Sequence, residues 1–266
     1  MSRLEKILYE LREMESPDTR GYLQQIDPRC KIVVTVLFLI AVLTVPLTSF
    51  DQLLWLFIVP IIMSTLAGIN YSRVFVNSLF VLPFVVLIGI FNPFIDRQPV
   101  ILADGIVVNR GWITFGSIVL RGLLSMQCVL ILIESTGFIR LCDALRRMGA
   151  GRIVTTQLMM VYRYIGVLVT EAIAMKRACQ SRGFGKESLP IKLWGEMVGR
   201  LLLRTVDRAE RIHRAMISRG FDGTVRTKSG LVWRCRDTVF LIVSIAIIVV
   251  LSVFNISSLF YESSLY

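Results

Sequence analysis

Five long runs of apolar residues are separated by short polar or charged segments along this chain. They cover Ile32–Leu47, Leu53–Ile69, Val74–Phe94, Trp112–Ile133 and Thr238–Ile256. A helix needs about 20 apolar residues to cross a ~30 Å hydrocarbon layer, so the last three runs are long enough by themselves. The first two are shorter and only Thr48–Gln52 separates them, which predicts either a hairpin of two spans or a partly re-entrant pair. We therefore expect about five transmembrane helices, or six if residues 158–174 also insert.

The stretch between the fourth and fifth runs has a helical pattern of apolar and charged residues with few turn signals. Helices are predicted over residues 137–148, 154–182 and 190–219. The last two would each be about 45 Å long at a rise of 1.5 Å per residue. Long helices with an apolar stripe and a basic face are suited to contacting partners.

These patterns predict an all-α polytopic membrane protein with long cytoplasmic helices between its last two spans. The expected organisation has four parts. A cytoplasmic amphipathic segment covers 1–31, four spans cover 32–133, cytoplasmic coupling helices cover 134–237, and a final span with a short external tail covers 238–266.

Composition supports a membrane location, and charge sets the expected orientation. Hydrophobic residues make up 55% of the chain, charged residues 18%, and the mean hydropathy is +0.67. Of the 30 Lys and Arg residues, 27 lie in segments 1–31, 70–73 and 134–237. Positive residues concentrate on the cytoplasmic side, so we expect the N-terminus inside, in the cytoplasmic membrane of a bacterium or archaeon. The basic helices lack interleaved exposed aromatic residues, which argues against nucleic acid and leaves the lipid bilayer as a contact.

An internal repeat closes the two longest predicted helices. Residues 177–184 read Arg-Ala-Cys-Gln-Ser-Arg-Gly-Phe, and 37 residues later 214–221 read Arg-Ala-Met-Ile-Ser-Arg-Gly-Phe, so six of eight positions are identical. Two ordinary helix ends would account for the Arg and the Gly, but not for the shared Ala, Ser and Phe. An Arg at a rigid helix end presents a planar cation that suits carboxylates on another protein. Two copies suggest two similar receiving sites.

At these residues the chain resembles a known family. The paired Ser-Arg-Gly-Phe helix ends, the Asp-Pro-Arg-Cys-Lys entry at 27–31 and the basic segment Leu141–Met148 resemble the T components of energy-coupling factor transporters. The Arg-Gly-Phe-Asp-Gly sequence at 219–223 is most similar to the CbiQ branch, which serves cobalt uptake.

The resemblance implies partners and docking residues. Such a subunit is expected to bind two ABC ATPases through its helix ends and a substrate-binding S component in the membrane. It would hold no cofactor of its own, since ATP and Mg would bind to the ATPases. The implied ATPase-coupling residues are Ser181, Arg182, Gly183, Ser218, Arg219 and Gly220. The substrate would be cobalt, with nickel or a vitamin as the alternative, because the S component selects it.

No catalytic or metal-binding constellation is evident in the sequence, so we expect a non-catalytic subunit. The chain has one His and five scattered Cys, and no phosphate-binding loop. Arg121 lies near the middle of the fourth run, where a charge costs at least ~2.5 kcal/mol, and is therefore an intramembrane candidate without an evident acidic partner. A misjudged span boundary, with Arg121 reaching the interface, is the alternative. A self-sufficient secondary transporter is the competing function, but it would need more ionisable groups within the spans.

Overall fold

The computed structural model describes residues 21–46, 50–95, 99–101, 107–182, 191–223, 225 and 233–253. The predicted amphipathic helix Met1–Ser16, the side chain of Arg182, Gly183 and the predicted tail 257–266 lie outside this description.

The described chain is almost entirely helical, which confirms the all-α fold class. A 3-10 turn at Tyr22–Gln25 precedes the first helix, and a two-stranded antiparallel hairpin interrupts the helices after the third apolar run. The elements are α1 (Pro28–Thr44), α2 (Phe50–Leu56), α3 (Ile58–Ala67), α4 (Tyr71–Ser78), α5 (Leu82–Gly89), α6 (Asn92–Ile95), β1 (Pro99–Ile101), β2 (Val107–Asn109), α7 (Arg110–Thr136), α8 (Phe138–Arg147), α9 (Arg152–Arg182), α10 (Ile191–Ser218) and α11 (Cys235–Val253).

Two of the apolar runs form broken helices. Pro60 lies in the first turn of α3, and Pro83 lies at the second position of α5, after a 3-10 turn at Leu79–Val81. Proline lacks an N–H and restricts the residue before it, so each break falls just before a proline.

Four described helical segments are long and apolar enough to cross a membrane. They are Tyr71–Gly89, Arg110–Thr136, Arg152–Ser181 and Cys235–Ser252. The helix at 152–181 contains the stretch expected as an alternative sixth span, although most of it was expected on the cytoplasmic side. The first two predicted spans form shorter helices: α1 has 17 residues, and the apolar helix Gln52–Ala67 falls below the spanning length.

The chain divides into two compact units. One, here called the membrane unit, comprises Pro17–Thr136 and Gly230–Tyr266; the other, here called the hairpin unit, comprises Met1–Ser16 and Gly137–Ser229. Within the membrane unit, α7 is the central helix and contacts α1 to α6, while α11 packs against α1 and α2. The buried core consists of apolar side chains from α1, α2, α3, α7 and α11, including Phe38, Leu56, Leu124 and Ile248.

Two glycines allow close helix packing around α7. A Cβ on Gly122 would lie 2.7 Å from Val85 Cγ2, and one on Gly89 would lie 2.9 Å from Phe115 Cδ2. Small residues of this kind let helices approach in a bilayer, where dispersion contacts rather than water drive association. The α5–α7 contact therefore depends on these glycines.

The hairpin unit contains α8, α9 and α10. Its first helix, α8, packs against α9, where the rings of Phe138 and Tyr162 stack with centroids 4.7 Å apart. The second and third helices, of 31 and 28 residues, also contact each other. The two repeated motifs therefore lie at the C-terminal ends of long helices.

Candidate coupling site

The second copy of the repeat forms a complete C-terminal cap on α10. Gly220 adopts a left-handed conformation with φ of +76°. Its N–H donates to the Ile217 carbonyl at 2.9 Å, and the Phe221 N–H donates to the Met216 carbonyl at 3.0 Å. These two bonds define a Schellman motif, in which Gly occupies the position that side chains disfavour. Arg219 is the last residue before that glycine.

The shared Ser and Arg of the two copies make the same local hydrogen bond. Ser181 Oγ donates to the Arg177 carbonyl, and Ser218 Oγ donates to the Arg214 carbonyl, each at 3.0 Å. A serine hydroxyl that donates to the carbonyl four residues earlier gives that carbonyl a second donor in the last helical turn. The repeat therefore encodes a common helix end, which explains why Ser recurs with Arg and Gly.

Arg219 is exposed, and within the described residues its side chain makes no hydrogen bond or ion pair. In the other copy, α9 ends at Arg182, and Ser181 is exposed. The backbone and its cap thus satisfy the end of α10 and leave the Arg219 guanidinium available to a partner. Its planar fork suits a bidentate carboxylate.

An ion-pair cluster joins α9 and α10. Glu171 on α9 accepts from Arg204 Nη1 at 3.3 Å and lies 3.6 Å from Arg208 Nη1 on α10. These groups are partly exposed, so the pairs contribute little stability, of the order of 0–1 kcal/mol. They do establish the register of the two helices.

A second contact shows that α9 and α10 run antiparallel. Thr156, in the second turn of α9, donates to the carbonyl of Gly223, four residues after Arg219. The end of α10 therefore lies beside the start of α9, while Arg182 lies at the opposite end of α9. From Thr156 to Arg182 the helix axis is about 39 Å long at 1.5 Å per residue. The structure thus separates the two motifs to opposite ends of the pair.

Exposed apolar side chains cover parts of both long helices. On α10 most of them lie between Ile191 and Val206, and one, Ile217, lies near its end, whereas the second half carries most of its Arg residues. A contiguous apolar surface on a helix usually marks an interface with protein or lipid. The exposed members are Ile153, Val154, Leu158, Val161, Ile191, Trp194, Val198, Leu202, Leu203, Val206 and Ile217.

The Asp-Pro-Arg-Cys-Lys entry joins three helix ends in the membrane unit. Asp27 caps α1 by accepting from the Arg29 N–H at 3.0 Å, and the buried Lys31 donates to the Ser135 carbonyl at 3.2 Å. Asp237 Oδ1 accepts from the Asp27 N–H, and its Oδ2 accepts from the Arg234 N–H at the start of α11. The entry therefore connects the starts of α1 and α11 with the end of α7.

Arg121 lies in the interior of α7 and donates through Nη2 to the carbonyl of Val45, just after the end of α1. Lys31 makes the converse contact at the other end of α1, with the Ser135 carbonyl and the Thr136 hydroxyl at the end of α7. Fourteen residues separate the two contacts on each helix, about 21 Å along antiparallel axes. A cation at a helix C-terminus interacts favourably with the helix dipole, so each helix caps the other.

The sequence identified some of these groups and missed others. It identified the two repeated helix ends and the Asp27 cap. It indicated no acidic partner for Arg121, whose partner is the backbone carbonyl of Val45. Glu171 and Asp237 were also missed. Asp237 did carry a signal, because an acid three residues after an N-cap is typical of a capping box.

Comparisons with known proteins identify the family of this chain. A family model described as CbiQ, cobalt transport protein, matches residues 20–229. The energy-coupling factor transporter transmembrane protein EcfT of Staphylococcus aureus is 28% identical over 258 residues, covering 89% of this chain and 94% of that protein. The cobalt transport protein CbiQ of Salmonella typhimurium is 33% identical over 104 residues, covering 36% and 46%. An uncharacterised protein of Methanocaldococcus jannaschii is 27% identical over 259 residues, covering 88% and 83%.

Proposed function

Because this chain belongs to the CbiQ/EcfT family of energy-coupling factor transporter membrane components, we propose that it is the subunit that transmits ATP-driven motion to a substrate-binding S component. Two ABC ATPases would bind the helix ends at Arg182 and Arg219. The ATPases would hold ATP and Mg, and this chain would supply no catalytic group.

The observation that carries the proposal is the placement of two equivalent helix ends at opposite ends of an antiparallel pair. Two copies of one motif suit two copies of one receptor, and a separation of about 40 Å lets each copy engage its own ATPase. Closure of the ATPases on ATP would move the two ends relative to each other. The pair α9 and α10 would then convert that movement into a displacement of the surfaces that they carry.

The orientation of the long helices follows from charge. Arg204, Arg208, Arg211 and Arg214 occupy successive turns of α10, so its second half does not enter hydrocarbon without a large free-energy cost. Since α9 pairs antiparallel with α10 through Glu171, we place both on the cytoplasmic side, and with them the N-terminus. The apolar composition of α9 then serves its contacts with protein and membrane surface.

The exposed apolar surface of α9 and α10 is the proposed contact for the S component. An S component is itself a hydrophobic membrane protein, and apolar area gives about 25 cal/mol per Å² when it is removed from water. On α10 the surface begins at Ile191 and Trp194 and continues to Val206, and on α9 it begins at Ile153.

Cobalt is the proposed substrate, because the matching family model is described as cobalt transport and the ending at 219–223 resembles the CbiQ branch. Nickel or a vitamin is the alternative, since selection would belong to the S component. A gene for a cobalt-type S component beside this one would support cobalt.

Charge reversal at each docking residue tests the proposal. Tagged chain is purified from its own host in mild detergent, and co-purifying proteins are identified and quantified. We expect two ATPase subunits per chain, and we expect Arg182→Glu or Arg219→Glu to reduce ATPase recovery and abolish uptake. Truncating a buried interface charge costs about 2–5 kcal/mol, and reversal is at least as damaging.

Arg211→Glu provides the matched control, because it makes the same charge change on the same helix two turns earlier. It should retain the ATPases. Wild-type recovery and uptake in Arg182→Glu, Arg219→Glu and the double variant would refute the docking role. Solute transport by the purified chain alone in liposomes would favour a secondary transporter.

A further inference from the structure

The segment that follows Arg219 is held by two side chains from neighbouring helices. The Gly223 carbonyl accepts from Thr156 Oγ1 on α9 at 3.2 Å. The Val225 carbonyl, two residues further, accepts from Arg146 Nη1 on α8 at 3.1 Å. Two alternate carbonyls within six residues of Arg219 are therefore attached to α9 and α8.

A buried carboxylate orients the guanidinium that makes the second of these bonds. The side chain of Asp143 is fully buried and accepts from Arg146 Nη2 at 2.7 Å, while Arg147 Nε lies 3.4 Å from its other oxygen. Charge-assisted bonds of this kind are short and directional. Asp143 therefore holds Nη2 of the Arg146 guanidinium, and Nη1 of the same group donates to the Val225 carbonyl.

The helix that carries Arg146 and Asp143 follows the central helix of the membrane unit directly. Thr136 ends α7, Gly137 has φ of +77°, and α8 begins at Phe138. From Arg146 back to Gly137 is about 14 Å of helix. Along the chain, the route from Arg219 back to the same glycine passes through α8 and also through the whole of α10 and α9, which are about 42 Å and 47 Å long.

We propose that Arg146, oriented by Asp143 and assisted by Thr156, is a positioning residue that latches the Arg219 helix end to α8 and so transmits motion of that end to α7. The inference rests on the proposed function, because it gives the ATPase-docking end at Arg219 a mechanical connection to the membrane unit. Displacement of Arg219 displaces the residues that follow it. The hydrogen bond between Arg146 and Val225 transmits this displacement to α8, a short helix that directly follows α7. The latch residues do not bind the ATPase or the substrate.

The test compares the complex that co-purifies with the wild-type chain with complexes of two latch variants, Arg146→Gln and Thr156→Val. Arg140→Gln is the matched control, because Arg140 lies on the same helix and makes no hydrogen bond or ion pair within the described residues. Three quantities are measured: ATPase recovery, uptake per ATP hydrolysed, and hydrogen exchange of the peptide that covers residues 219–225.

Loss of the latch should loosen the segment while the ATPases stay bound. We expect exchange of the 219–225 peptide to accelerate by about 10-fold or more in Arg146→Gln, as for loss of a hydrogen bond to a charged group. Thr156→Val should show a smaller acceleration, by a few-fold, because its bond is neutral. ATPase recovery should remain close to wild type, and uptake per ATP should fall at least ~5-fold in Arg146→Gln. Arg140→Gln should match wild type in all three.

Equal exchange in wild type and both latch variants would overturn the latch itself. Faster exchange with unchanged uptake per ATP would overturn its role in transmission, as would an equal loss of coupling in Arg140→Gln. If Arg146→Gln does not fold, Thr156→Val decides the question alone, because its side chain pairs with no buried charge. Failure of the proposed function is seen separately, as ATPase retention by Arg219→Glu.

Discussion

Replacing Gly220 with Ala tests whether the conformation of the α10 end determines ATPase binding. Gly220 has φ of +76°, and a Cβ built on it meets no atom within 4 Å. The substitution therefore adds no steric clash. Its whole cost is the left-handed backbone, about 1–2 kcal/mol for a non-glycine residue.

That cost sets an upper limit for the loss of affinity. If the variant retains the Schellman motif, the strain lowers its stability and leaves docking unchanged. If it relaxes the helix end, docking must restore the conformation, and the ATPase affinity falls by up to about 5- to 30-fold. We expect the second outcome, because Arg219 immediately precedes Gly220 and the end is exposed.

Gly199→Ala is the matched control in the same helix. Gly199 also has no atom within 4 Å of a built Cβ, and it is not among the residues with positive φ. Ala is favoured over Gly by about 0.8–1 kcal/mol in a helix interior, so this change should stabilise α10 and leave affinity unaltered. Gly220→Asn should retain most of the affinity, because Asn tolerates the left-handed region.

The assay is the dissociation constant of the purified ATPase for the detergent-solubilised chain, with circular dichroism as a check of helix content. A weaker Gly220→Ala with intact Gly199→Ala and Gly220→Asn would support the reasoning. Wild-type affinity in Gly220→Ala, or an equal loss in Gly199→Ala, would refute it.

Three further predictions concern the remaining contacts. Lys31→Met should lower the unfolding temperature in detergent, because it removes the Lys31 donor from the Ser135 carbonyl at a cost of about 1–3 kcal/mol. Arg121→Leu should do the same through the carbonyl of Val45, with uptake per folded molecule retained. Burial raises the pKa of the Cys142 thiol; its thiolate fraction falls at a given pH, so a maleimide at pH 7.5 should label the exposed Cys235 and spare Cys142.

Each of these expectations has a clear contrary result. Unchanged thermal unfolding of Lys31→Met would contradict the capping role of Lys31. Loss of uptake by Arg121→Leu at wild-type stability would make Arg121 a pathway residue instead of a structural cap. Labelling of Cys142 as fast as Cys235 would show that its site opens to solvent.

The membrane class, the long helices and the chemistry of the two helix ends follow from the sequence, because each depends on residues near one another in the chain. Apolar length and Lys/Arg placement determine insertion. The Ser-Arg-Gly-Phe repeat contains its own local hydrogen bond, because Ser181 and Ser218 each donate to a carbonyl four residues earlier. The bends near Pro60 and Pro83 are local in the same sense.

Only the tertiary structure decided which distant groups meet. The pairing of Glu171 with Arg204 spans 33 residues, and that of Arg121 with Val45 spans 76. Such contacts depend on the direction and register with which apolar helix faces pack, and no local pattern specifies these. Hence the sequence identified two repeated helix ends, but their placement at opposite ends of an antiparallel pair, and the attachment of Val225 to Arg146, required the packed helices.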